Sequence, residues 1–102
     1  MPAPLDLVIT NRAVADLSGI FTWSATRFGE TVAADYLRAL DAAFAMLCRH
    51  PDAGTRLHDS AAPERAFPCR RHRIFYDVED NNLTIVRVLH QAMHAKLQFN
   101  RE

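Results

Sequence analysis

Arg73-Ile74-Phe75-Tyr76-Asp77-Val78-Glu79-Asp80-Asn81-Asn82-Leu83-Thr84-Ile85-Val86-Arg87-Val88-Leu89-His90 reads as two strands joined by a tight polar turn. Aromatic and β-branched residues fill both halves, and Asp80-Asn81-Asn82 tolerates a left-handed turn. Period-two alternation sets Ile74, Tyr76 and Val78 on one face and Arg73, Phe75 and Asp77 on the other. The first face is the one expected to bury. The second is expected to stay open, with Arg87 joining it if the register allows.

Working outward, Leu5 to Thr10 predicts a short first strand, and Thr10 or Asn11 can cap a helix. Val14, Leu17, Phe21, Ser24 and Phe28 recur at helical spacing over Arg12 to Phe28, Ile20 thickens the stripe, and Gly29 ends that helix. A second stripe, Val32, Tyr36, Leu37, Leu40, Phe44 and Leu47, continues to His50, where Pro51 disfavours helix. With so short a joint the two helices form an antiparallel hairpin. Asp52 to Glu64 reads as a loop, and Ala66 to Arg71 as a strand pushed to an edge by Pro68. The predicted fold class is α+β: a helical hairpin packed on one face of a mainly antiparallel four-stranded sheet, in the order β-α-α-β-β-β. Val14, Leu17, Phe21, Leu40, Phe44, Leu47, Ile74 and Tyr76 are the expected core. Trp23 and Tyr36 are expected to pack against the hairpin or sheet.

The 102 residues suit one domain spanning 1–102. No apolar run reaches membrane-spanning length and no signal peptide is visible, so a cytoplasmic location is expected. Cys48 and Cys69 read as reduced core-filling residues. The formal net charge of zero argues against a nonspecific nucleic-acid binder. Of the 12 basic residues only Lys96 is a lysine, and Arg65 to Arg73 carries four arginines and no acid. Such a run is either a solvated edge or a docking surface for carboxylate or phosphate. His90 and His94 have i, i+4 spacing, but neither the cysteines nor His72 adds a corroborating ligand pattern, so no metal or cofactor is expected.

In order along the chain, Leu47-Cys48-Arg49-His50-Pro51-Asp52-Ala53-Gly54, Arg65-Ala66-Phe67-Pro68, Arg73 to Asp80 and Ile85-Val86-Arg87-Val88-Leu89-His90-Gln91 resemble the RelE/ParE superfamily of type II toxins, most closely its ParE branch. The resemblance implies a toxin encoded beside a small antitoxin, with which it forms a hetero-oligomer. For the ParE branch it implies DNA gyrase as target, a ParD-like antitoxin and no direct specific DNA binding. An antitoxin would then meet Arg70, Arg71, Arg73 and Arg87. Toxicity would rest on Arg73, His90, Met93, Leu97 and Phe99, around and after the last strand. The alternatives are a RelE-type ribosome-dependent mRNA endonuclease and an antitoxin-binding domain that has lost toxicity. Nucleolytic chemistry needs a base, a cation for the phosphorane and an acid. Many relatives place an arginine after the Leu-His-x-x motif, where this chain has Met93, and the final segment lacks a tyrosine. Binding without catalysis is therefore the reading favoured by the sequence.

Overall fold

The computed structural model describes residues 3–93. Its elements run β1 (Asp6–Ile9), α1 (Asn11–Phe28), α2 (Glu30–Arg49), β2 (Thr55–Arg56), β3 (Arg65–Cys69), β4 (His72–Glu79) and β5 (Asn82–His90). The sheet order is β1-β5-β4-β3-β2, with β1 parallel to β5 and the other pairings antiparallel. The hairpin of α1 and α2 covers one face. The expected α+β arrangement is observed, with one correction: the sheet has five strands, not four. The extra strand, β2, lies in the segment read as a loop. Two residues are too few to show alternation, and only pairing with Arg65 and Ala66 reveals them. That pairing stops short of Pro68, whose missing N–H therefore breaks no ladder bond on that side.

Thr10 joins the first strand to the hairpin and the hairpin to the sheet. Its hydroxyl accepts the Ala13 N–H at 3.1 Å, capping α1, and donates to the Val86 carbonyl at 2.9 Å. Its backbone N–H reaches the Ile85 carbonyl. Gly29 separates the helices with φ 93°, a conformation that side chains resist, so it both ends α1 and starts α2. The polar turn between β4 and β5 is Asp80-Asn81, with Asp80 left-handed at φ 56°.

The main core joins Leu40, Phe44 and Leu47 of α2 to Ile74, Tyr76, Leu83, Ile85 and Val88 of the sheet. Six of the eight expected core residues are buried or packed against this cluster, but Val14 and Phe21 are 52% and 37% exposed. Of the expected α1 stripe, Ile20 and Ser24 are buried and Leu17 packs against the core, and they are joined by Ala13. Small residues at Ala13 and Ser24 let the helix approach closely, so the packed face is turned away from the largest side chains. Trp23 is a second correction: it is 57% exposed, edge-on to Phe28 at 5.9 Å and under the Arg27 guanidinium at 5.0 Å. The far face of the sheet is also not open. Ala66, Phe75 and Leu89 are buried there, with Leu57 packed against them.

Tyr76 ties the chain leaving α2 to the sheet. Its hydroxyl donates to the Pro51 carbonyl at 2.8 Å and accepts the Gly54 N–H at 2.9 Å. A Cβ on Gly54 would lie 2.5 Å from that oxygen and 3.0 Å from the Ala66 carbonyl, so only glycine fits. Removing the hydroxyl strands a buried donor and acceptor. Tyr76→Phe is expected to cost about 1–3 kcal/mol in urea unfolding. Phe44→Ala, which empties a site 1% exposed, is expected to cost about 3–5 kcal/mol. A loss near zero for Phe44→Ala would contradict the packing of α2 on the sheet.

Candidate functional site

At the end of the sheet where the β3–β4 turn and the C-terminal end of β5 meet the hairpin, the surface opens into a groove of about 680 Å³. Ile20, Trp23, Phe28 and Val32 form its helical wall, and Met93 lies on the sheet side. Trp23, Phe28, Val32 and Met93 are all among the exposed large apolar residues, so the groove gathers half-solvated hydrophobic area in one place. Its polar end holds Asp16, Tyr36, Arg71, His72, Arg87 and His90.

A break in the pairing of β5 creates that polar end. Phe75 pairs with Arg87 but Tyr76 pairs with Ile85, so Val86 is an extra residue in β5. Alternation therefore shifts by one, and Ile85 and Val88 both reach the main core. Arg87 turns to α1, where its Nε and Nη2 donate to the two oxygens of Asp16 at 2.8 and 2.9 Å. The Val88 N–H adds a bond at 2.9 Å to the same carboxylate. The side chains of the pair are 11% and 14% exposed, and the hydrogen bonds from Arg87 to Asp16 raise the guanidinium's affinity for its proton further. The expected placement of Arg87 on an open face is thus corrected: its charge is engaged inside the protein.

The other arginines do not converge either. Arg71 lines the groove. Arg70 takes a left-handed backbone at φ 56° in the β3–β4 turn and lies over the Tyr36 ring at 5.8 Å. Arg73 stacks its guanidinium 5.0 Å from the centre of the Phe75 ring, with the side chain that belongs to the cluster on the other face. Of the expected toxicity residues, Arg73 is thus separated from His90 and Met93, which line the groove; Leu97 and Phe99 lie outside the described residues, as does His94. Asp77 and Glu64 serve the backbone: Asp77 accepts the Glu64 N–H at 2.7 Å, and Glu64 accepts the Val78 N–H at 3.0 Å.

Tyr36 and His72 emerge as groove residues that the sequence reading did not assign. The Tyr36 hydroxyl lies 2.6 Å from His72 Nδ1 and accepts the Arg71 N–H at 3.1 Å. The His72 ring stands edge-on to that of His90 at 5.4 Å. Burial, and then the neighbouring His90, push the His72 pKa below its usual value, while burial pushes the Tyr36 phenol up. Adjacent strands can bring His72 and His90 together only through their pairing register, and that pairing is observed. Nothing local in the sequence marks Tyr36 as their neighbour. Cys48 and Cys69 are both free thiols, with burial raising their pKa values. Among the described residues no group of three or more His, Cys, Asp or Glu side chains is placed to hold a metal, and no helix is long and apolar enough to cross a membrane.

Two solved structures share this architecture. One, from the chromosomal ParDE toxin–antitoxin system of P. aeruginosa, superposes with a TM-score of 0.75 at 18% identity, covering 84% of this chain and 95% of that one. The other, from the RelBE2 toxin–antitoxin complex of Mycobacterium tuberculosis, superposes with a TM-score of 0.63 at 23% identity, covering 87% and 100%. The fold is that of the RelE/ParE superfamily. Residues 7–95 match the family model for the ParE toxin of type II toxin–antitoxin systems. Toxin ParE1 of Caulobacter vibrioides is 40% identical over 88 residues, 86% of this chain and 91% of that protein. The chain belongs to the ParE toxin family and is the toxin component of a type II toxin–antitoxin system.

Breaking a buried ion pair from one side leaves an uncompensated charge. Asp16→Ala is therefore expected to cost about 3–5 kcal/mol, read by chemical denaturation. Asp16→Leu combined with Arg87→Met is expected to recover most of that loss. A double variant as unstable as the single one would show that packing, not charge, sets the cost.

Proposed function

We propose that this toxin acts by binding, with DNA gyrase as its target, and that a ParD-like antitoxin encoded by an adjacent gene neutralises it in the cytoplasm. The observation that carries this reading is the groove: exposed apolar side chains on a helical hairpin, with Arg70 and Arg71 beside its polar end. An amphipathic antitoxin segment matches such a surface, apolar residues against Trp23, Phe28 and Val32, acidic ones toward the arginines. The relatives support a partner of this kind, since the two solved neighbours come from a ParDE system and a RelBE2 complex.

A nucleolytic reading draws on the approach of His72 and His90. Against it, Arg87 is held by Asp16, Arg73 lies over Phe75, and a thioether occupies position 93. A thioether neither carries positive charge nor transfers a proton. Expression without antitoxin discriminates: loss of gyrase supercoiling with intact ribosome-bound messenger RNA is expected. Codon-positioned cleavage that disappears on Arg73→Ala or His90→Ala would make it the enzyme, and a chain that does neither would be an antitoxin-binding domain without toxicity.

Arg70→Ala with Arg71→Ala is expected to weaken the antitoxin complex and flatten its salt dependence, because exposed pairs are screened by salt. Arg73→Ala is expected to change affinity less. Trp23→Ala is expected to weaken the complex by at least about thirtyfold, as buried interface tryptophans do. Isothermal titration of each variant at two ionic strengths checks the set, and unchanged affinity in folded Trp23→Ala would move the interface elsewhere.

A further inference from the structure

We propose that His72 makes the groove acid-labile: the groove holds an apolar antitoxin segment while His72 is neutral and loses it when His72 takes a proton. The inference rests on the docking reading above and adds its regulation. It stands first on hydrogen-bond geometry. The Tyr36 hydroxyl lies 2.6 Å from His72 Nδ1 and accepts the Arg71 N–H, so it links α2, the β3–β4 turn and β4. An unprotonated Nδ1 can accept the Tyr36 proton, whereas both ring nitrogens of the imidazolium can only donate.

After burial, His90 of β5 beside the ring opposes the charge, while Asp16 of α1 favours it. Arg71 precedes the ring in the chain, Arg70 lies over Tyr36 from the same turn, and Arg87 of β5 lines the same groove. Cys69 of β3 is its cross-strand partner and stays a neutral thiol. Asp16 of α1 is the acidic residue of the groove lining, and both its oxygens are taken by Arg87 and the Val88 N–H. An apolar segment laid over Trp23, Phe28 and Val32 removes water from the half-buried imidazole, and desolvation penalises its charged form again.

The sign follows from linkage. The free protein's His72 already has a pKa below its usual value, and covering lowers it further. Above the free pKa both states are neutral and affinity does not depend on pH. As pH falls below it, the free toxin gains a proton that the complex resists, and affinity drops by about tenfold per pH unit until the lower, bound pKa is reached.

The test is titration of the full chain with the antitoxin encoded beside it, at pH 7.5 and 5.5 and constant ionic strength. Circular dichroism confirms that both proteins are folded at each pH. The expected result is tight binding at pH 7.5, weaker binding at pH 5.5 by a factor of less than about ten, and a flat profile for His72→Phe. His90→Gln keeps the slope. Imidazole NMR of the unaltered toxin, which needs no variant to fold, is expected to report a lower His72 pKa in the complex than alone. Equal affinity at both pH values overturns the proposal, as does tighter binding at pH 5.5, which would mean a partner carboxylate seated on His72. A slope that survives His72→Phe overturns it too, placing the titrating group elsewhere. No complex at pH 7.5 overturns the docking reading itself, and the proposal with it.

Discussion

The Asp16–Arg87 pair is the constraint on which the arrangement of the groove depends. A bidentate contact fixes the height and rotation of α1 against β5, and the Val88 N–H on the same carboxylate fixes the strand at its irregular point. Two consequences follow from that one anchor. The pairing shift is held in place, so Val88 returns to the core and Leu89 goes to the far face. And α1 buries Ala13, Leu17, Ile20 and Ser24, which leaves its larger side chains outside. Thr10 performs the same service at the start of the helix, its hydroxyl bridging the capped turn and the Val86 carbonyl of the extra residue. An extra residue in a strand costs ladder hydrogen bonds, and here both of its ends are secured by α1.

The exposed apolar groove is a consequence of this rotation. A helix that buried Val14 and Phe21 would make a thicker core and a more polar surface. Instead the close approach at Ala13 and Ser24 trades part of that burial for a surface that a partner can cover. A toxin made together with its antitoxin has a reason to tolerate such a surface, since binding to the folded form stabilises it by mass action. The polar end is built differently. Tyr36, His72 and His90 come from one helix and two strands, joined by a hydrogen bond, ring contacts and the β4–β5 pairing. Such a cluster is sensitive to protonation in a way that the apolar wall is not.

Much of the fold was legible in the sequence. Helical spacing, Gly29, the turn at Asp80 and the alternation of Ile74, Tyr76 and Val78 are local signals, and each reflects a backbone or packing preference acting over a few residues. The order of elements, the hairpin packed on one face and the buried set Leu40, Phe44, Leu47, Ile74 and Tyr76 follow from them. The family likeness was also carried by ordered short motifs. The site was less legible. Arg70, Arg71, Arg73 and Arg87 look alike in a one-dimensional reading, yet one lies over Tyr36, one lines the groove, one lies over Phe75 and one is paired with Asp16.

What the sequence by itself determined is therefore which segments become helix and strand and which residues are hydrophobic enough to need covering. What only the tertiary structure decided is the rotation of α1, the two-residue strand β2, the shift at Val86 and the sorting of the arginines. The rotation of α1, the shift at Val86 and the placement of Arg87 depend on partners distant in the chain: Asp16 is 71 positions from Arg87, and Thr10 is 76 from Val86. Local preferences cannot encode such pairings, because the energy that selects them exists only once the two segments are in contact.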